Sequence, residues 1–170
     1  TLVRSIFEHC PTIWRPRSKT MIEKLENLQK RAIKWIKNET STSYSIEDLY
    51  YLHCKELDIL PIRVRFDYHD LKTLHQIIHG FSCISLPEYL KLYTGSSRLR
   101  SSHLDDLCLI SDVIPRGTNA SNSRNAFSNS FFYRAHLLWN RLPKCLREII
   151  GPGVFKTRLK QYLWENAVFI

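Results

Sequence analysis

The sequence predicts a mainly α-helical protein, and three observations support this. Several long stretches carry apolar residues at helical spacing. Proline and glycine separate these stretches. The one run that favours β structure, residues 107–114, is short and ends at Pro115. We therefore expect a helical bundle of about five to seven helices, with a long irregular loop at residues 93–126 that holds one or two short strands.

The opening residues predict a helix end followed by a turn. Residues 1–8 have helical apolar spacing, and because the chain starts inside this segment we expect it to be a piece of a longer protein. Pro11 and Pro16 then interrupt helical structure and predict an extended turn over residues 10–17, anchored by Trp14.

The next helix is predicted to be amphipathic with a basic outer face. Ser18 is a suitable N-cap, and the helix runs to about Asn38. The apolar side consists of Met21, Ile22, Leu25, Leu28, Ala32, Ile33, Trp35 and Ile36. The opposite side carries Lys19, Lys24, Lys30, Arg31, Lys34 and Lys37. We expect the apolar side to be buried and the basic side to face solvent.

The remaining helices follow from the same periodicity and its punctuation. They are expected at residues 46–52, 61–79, 86–90, 131–142 and 154–163. Gly80 is the predicted C-cap of the helix at residues 61–79. Four aromatic residues are predicted to be core anchors: Trp14, Trp35, Trp139 and Phe155.

Composition excludes several classes of protein. Apolar residues make up 44% of the 170 residues and charged residues 24%, which is globular and not disordered composition. No apolar run approaches the roughly 20 residues that cross a bilayer, and no signal-peptide pattern is present. The five cysteines are dispersed and contain no CxxC pair. We expect an intracellular protein of the nucleus or cytoplasm, with no membrane partner and with reduced, mostly buried thiols.

Charge is distributed unevenly along the chain. The net charge is +9, with nine basic and three acidic side chains in residues 1–37, and nine basic and two acidic in residues 116–170. The middle of the chain is acidic. Two basic ends indicate a polyanion partner, because clustered Lys and Arg gain affinity by releasing counterions from phosphates. The alternative is an ordinary protein with a high isoelectric point.

No catalytic or metal-binding motif is present. The sequence lacks GxxxxGK[ST], GxGxxG, HExxH and GxSxG. His75 and His79 share a helix face, but no carboxylate follows at matching spacing, so ordinary histidines are favoured over a metal site. Asp105–Asp106 follows His103–Leu104, whereas a polymerase pair follows an aromatic and a small residue. We predict no catalytic residue and no metal ligand.

Several segments in order resemble one family. LVRSIFEHCPTIWRP followed by EKLENLQKRAIKWI is similar to the region after the polymerase core of non-LTR, LINE-type retrotransposon reverse transcriptases of the Jockey-like group. Later segments that match are residues 49–80, Pro115–Arg116 with Arg124 and Phe127, the WNRLP stretch at residues 139–143, and residues 155–163.

The resemblance implies a C-terminal thumb and post-thumb region that is not catalytic by itself. The parent protein would be an RNA-directed DNA polymerase whose palm aspartates, with their Mg²⁺, lie outside this chain, so no cofactor is expected here. The expected partners are an RNA or DNA primer–template and the palm and fingers of the polymerase. The expected regions are a thumb-like helical region at 1–92, a connector at 93–126 and a C-terminal helical region at 127–170.

The predicted nucleic-acid contacts come from three basic groups. They are Lys24, Lys30, Arg31, Lys34 and Lys37 on the long basic helix, then Arg116 and Arg124, then Lys156, Arg158 and Lys160. Such contacts would reach phosphates and would be indifferent to base sequence. The alternative function is a helical protein-interaction module, or a domesticated relic without nucleic-acid binding, which predicts a sizeable exposed apolar patch.

Overall fold

The structure, a computed structural model, describes residues 9–16, 18–38, 47–93, 107–111, 127 and 129–166. Over these residues the protein is mainly helical, as the sequence predicts. The helices are α1 Pro11–Trp14, α2 Lys19–Ile36, α3 Glu47–Glu56, α4 Ile62–Ile78, α5 Phe131–Arg141, α6 Lys144–Arg147 and α7 Pro152–Asn166. The strands β1 Leu90–Leu92 and β2 Leu109–Ser111 pair antiparallel. The predicted helix end at residues 1–8 and the Asp105–Asp106 pair lie outside the described residues.

Two local predictions were wrong. The turn expected over residues 10–17 contains the short helix α1, because Pro11 occupies the first helical position, where its missing N–H costs nothing. Residues 86–90 do not form a helix. The Leu90 N–H instead donates to the Pro87 carbonyl at 2.9 Å, and this turn directs the chain into β1.

The predicted caps had different outcomes. Gly80 ends α4 with a φ of 71°, and the Phe81 N–H donates to the Gln76 carbonyl at 2.8 Å, which confirms the predicted C-cap. Ser18 does precede α2, but its side chain makes no hydrogen bond to the helix amides. Ser130, which the sequence analysis did not predict as a cap, caps α5, because its Oγ accepts from the Tyr133 N–H at 3.4 Å.

The chain divides into two compact units, residues 1–68 with 160–170, and residues 69–159. Helices α4 and α7 each contribute residues to both units. In the first unit, Ile33 of α2 packs with Tyr50 and Cys54 of α3 in a buried cluster, and Trp164 packs against it. The regions expected from the sequence, with boundaries at residues 92 and 126, stay a prediction.

The core of the second unit is built around two aromatic residues. Trp139 and Phe155 are fully buried, which confirms their prediction as core anchors. The ring of His75 stacks on Phe155 with centroids 3.9 Å apart, and its Nε2 donates to the Ile149 carbonyl at 2.6 Å. The Trp139 indole N–H donates to the Leu107 carbonyl at 2.9 Å, so this large buried side chain also has its polar atom paired.

Candidate nucleic-acid interface

A carboxylate on the inner face of α2 binds the first backbone amides of α4 and so fixes this face of the helix. Glu26 accepts hydrogen bonds from the backbone N–H groups of Ile62 and Arg63, at 3.3 and 3.4 Å, and from the Tyr50 hydroxyl. A carboxylate in this position satisfies N-terminal amides and complements the helix dipole. Burial is the main cause that raises the pKa of Tyr50, and the negative charge of Glu26 is the next. Tyr50 therefore stays neutral and donates its hydroxyl proton.

Gln29 adds a second polar anchor one turn further along α2. Its Nε2 donates to the Leu60 carbonyl at 3.2 Å and to the Tyr50 hydroxyl at 3.0 Å, while its Oε1 accepts from Arg65 at 3.0 Å. The buried Arg65 also donates to the Leu60 carbonyl at 2.7 Å. Because buried polar groups are costly to leave unpaired, this network fixes the rotation of α2 about its own axis.

The basic residues of α2 occupy one continuous sector beside that inner face. At about 100° per residue, all five predicted contacts fall within about 140° of the helix circumference. They are Lys24, Lys30, Arg31, Lys34 and Lys37. Glu23 is the one acidic residue of α2 in the same sector. The structure therefore places these five side chains on one side of the helix.

Lys37 and Lys30 each contact a side chain in the described part of the chain. The Lys37 Nζ lies 2.5 Å from Glu56 Oε2, and this hydrogen bond and charge lower the pKa of the Glu56 carboxyl. The Lys30 Nζ lies 5.1 Å from the centroid of the Tyr50 ring, in a cation–π contact. Lys24 and Arg31 are exposed, and no carboxylate in the described part of the chain pairs with either.

The C-terminal basic residues do not form one surface. Lys156 is half-buried and Arg158 is exposed, and two residues along a helix turn the side chain by about 200°. Lys160 bonds to the Asp58 carboxylate. Arg116 and Arg124 lie outside the described residues, so their predicted contacts with nucleic acid stay a prediction.

An exposed apolar stripe on α2 is the feature that the sequence interpretation missed. The outer stripe, as we call it, consists of Met21, Leu25, Leu28, Ala32 and Trp35. Met21 is 53% exposed, Leu28 51% and Trp35 86%. The prediction of Trp35 as a core anchor is therefore wrong, because Ile33 and not Trp35 faces the core. The inner stripe, at Ile22, Glu26, Gln29 and Ile33, has the same alternating steps of four and three residues and is offset from the outer stripe by one residue.

The N-terminal end of the outer stripe borders a shallow apolar cavity. It has a volume of about 570 Å³ and is lined by Trp14, Pro16, Ser18, Met21, Lys24 and Leu25. Trp14 lies edge-on to Phe66 with centroids 5.4 Å apart, yet remains 37% exposed, so it is only partly the anchor predicted. The exposed apolar surface thus continues from α2 to α1.

No group of three or more His, Cys, Asp or Glu side chains in the described ranges is placed to hold a metal ion. No helix among the residues that the structure covers is both long and apolar enough to cross a membrane. No protein-family model, curated protein or solved structure matches the chain.

Proposed function

We propose that this chain is the C-terminal, non-catalytic region of a non-LTR retrotransposon reverse transcriptase, and that α2 binds the backbone of the primer–template. The ordered motifs support the family assignment. Each named residue of the Trp-Asn-x-Leu-Pro motif has a structural role. Trp139 and Leu142 are buried, Asn140 bonds to β2, and Pro143 precedes α6. Polymerase chemistry and its Mg²⁺ would belong to the palm of the parent protein.

One observation carries the binding proposal. Lys24 and Arg31 are exposed on the same side of α2 as Lys30 and Lys34, and the half-buried network of Glu26 and Gln29 holds this side outward. Phosphates of a duplex are attracted by such a row of cations without reference to base sequence. Lys37 is less available because Glu56 neutralises it.

The test is the salt dependence of binding to an RNA:DNA hybrid. Fluorescence anisotropy of a labelled hybrid, titrated with the full chain between about 50 and 200 mM salt, should give a dissociation constant that rises with salt. The double variant Lys24→Gln/Arg31→Gln should reduce the slope of log affinity against log salt by about two. Arg141→Gln removes an exposed cation elsewhere and should leave the slope unchanged.

Absence of salt-dependent binding at micromolar protein would contradict the proposal. An equal loss from Arg141→Gln would also contradict it, because the affinity would then reflect net charge alone. Circular dichroism of each variant checks that helical content is unchanged.

A second candidate is a helical protein-interaction module, and the exposed outer stripe favours it. In this case charge reversal at Lys30 and Lys34 would leave partner binding intact, and the hybrid would not bind. The two candidates therefore differ in the same anisotropy experiment.

A further inference from the structure

We propose that the outer stripe of α2 docks an amphipathic helix of a partner protein, and that this partner helix carries acidic residues beside its apolar seam. The inference goes beyond nucleic-acid binding and does not depend on it. It rests on the spacing, the exposure and the flanking charges of α2.

The spacing of the outer stripe is that of a coiled-coil seam. Met21, Leu28 and Trp35 recur every seven residues, and Leu25 and Ala32 lie between them at the complementary positions. A 3,4 repeat of this kind presents a nearly straight row of side chains to a second helix. The row extends over fourteen residue steps, or about 21 Å.

Exposure shows that the described residues of unit 1 leave this seam uncovered. Trp35 is 86% exposed and Ile36 beside it is 56% exposed, although large apolar side chains at this spacing are normally buried. The neighbouring inner stripe of α2 is already held by the Glu26 and Gln29 network, so α2 cannot bury the seam by rotating without breaking those bonds. Trp35 lies at one end of the seam and the apolar cavity lies at the other. Both are features to which large apolar side chains of a docked helix bind.

The flanking charges identify the chemistry of the partner. Lys24 and Arg31 are seven residues apart and lie along one edge of the seam, at positions that form interhelical ion pairs in coiled coils. The other edge carries Ile22, Gln29 and Ile36, which are uncharged. A helix with Glu or Asp opposite Lys24 and Arg31 would complete the pairs, whereas a basic helix would be repelled.

A second copy of the chain fits less well. In an antiparallel pair, Lys24 and Arg31 would face the same two cations of the copy. In a parallel pair they would face Gln29 and Ile36, which offer no charge. Neither arrangement neutralises the basic edge, and this favours a different, acidic partner.

The experiment measures binding of three designed helical peptides to the full chain. The first has Leu at the seam and Glu at the flanking positions, the second has the same seam with Lys, and the third keeps Glu but has Ser at the seam. We expect the first peptide to bind with a micromolar dissociation constant. The second and third should each bind at least about tenfold more weakly.

Variants of the chain locate the site. Trp35→Ser should weaken binding of the acidic peptide by about thirtyfold, as expected for an aromatic anchor. Lys24→Glu/Arg31→Glu should reverse the preference between the Glu and Lys peptides. Val154→Ser removes an exposed apolar side chain elsewhere and should change nothing. Because these side chains are exposed, each variant should retain its helical circular dichroism.

Several outcomes overturn the proposal. One is that the acidic peptide fails to bind at about 100 µM, and another is that the Glu and Lys peptides bind equally well. A third such outcome is tight binding of anionic lipid vesicles that is abolished in Trp35→Ser. Dimerisation of the chain through the stripe, seen by sedimentation and lost in Trp35→Ser, would assign it to a second copy instead. Trp35→Ser should retain hybrid binding, so failure of docking and failure of the proposed function are distinguishable.

Discussion

The side chain of Asn140 makes both backbone hydrogen bonds that Leu109 could make with a neighbouring strand. Asn140 Oδ1 accepts from the Leu109 N–H at 2.8 Å, and its Nδ2 donates to the Leu109 carbonyl at 2.8 Å. On the other edge of β2, Leu109 lies opposite Leu92 of β1. A carboxamide on α5 therefore occupies the position of a neighbouring strand, and it joins this helix to the two strands that the described residues form.

Replacing Asn140 by Ala should destabilise the protein by about 1–3 kcal/mol, because two backbone groups of the buried Leu109 lose their partners. Asn140→Asp should also destabilise, since a carboxylate cannot donate to the Leu109 carbonyl. Urea unfolding measures the free energy, and hydrogen exchange should show loss of protection at the Leu109 amide. Asn27→Ala, at an exposed position on α2, is the matched control and should cost little. Equal stability of Asn140→Ala and the parent would contradict this role.

Stability should decrease as the pH falls below about 6.5. Burial lowers the pKa of His75, His79 and His136 from their ordinary value of 6.5. Below that value the unfolded chain takes up protons that the folded chain does not, so the unfolded state is favoured progressively until the pH passes the lowered native pKa values. Above the ordinary value all three are neutral in both states, and this contribution to the pH dependence disappears.

Urea unfolding at a series of pH values between about 7.5 and 5 measures this effect. His75→Phe keeps a ring against Phe155 but removes one titrating group, so its unfolding free energy should depend less steeply on pH. Asn27→Ala, at an exposed residue that does not titrate, is the control and should keep the slope of the parent. A free energy that is flat over this range would show that the buried histidines protonate without penalty.

The sequence could predict features that depend on neighbours along the chain. Helix α4 and its Gly80 cap follow from local periodicity and from a backbone conformation that glycine readily adopts. Which stripe of α2 is buried depends instead on hydrogen bonds between residues far apart, such as Gln29 to Leu60, separated by 31 positions. The apolar pattern of α2 contains two stripes, and the bonds of Glu26 and Gln29 decide between them. The Asn140 bond to Leu109, also across 31 positions, could not be predicted for the same reason.

Two of the five thiols should resist labelling in the folded protein. Cys54 and Cys108 are buried, while Cys10, Cys83 and Cys145 are exposed, so the expectation of mostly buried thiols was wrong. Burial raises the pKa of Cys54 to about 11, which removes the reactive thiolate at neutral pH. Labelling with a maleimide followed by mass spectrometry should give three modifications quickly and two more only in denaturant. Rapid labelling of Cys54 would show that α3 does not pack against α2 as described.

The two tryptophans Trp35 and Trp139 should differ sharply in their effect on stability. Trp139→Ala should cost about 3–5 kcal/mol, because it leaves a large cavity beside Phe155. If that variant does not fold, Trp139→Phe keeps most of the ring and loses the hydrogen bond to Leu107, which should cost about 1–3 kcal/mol.

Trp35→Ala should change the free energy of unfolding by less than about 0.5 kcal/mol, since the side chain is exposed. Urea unfolding of the variants under one condition gives the comparison. A large cost for Trp35→Ala would mean that this side chain is buried in the isolated chain, and the outer stripe could then not serve as a docking surface. A small cost, together with loss of the acidic peptide, would separate binding from folding at a single residue.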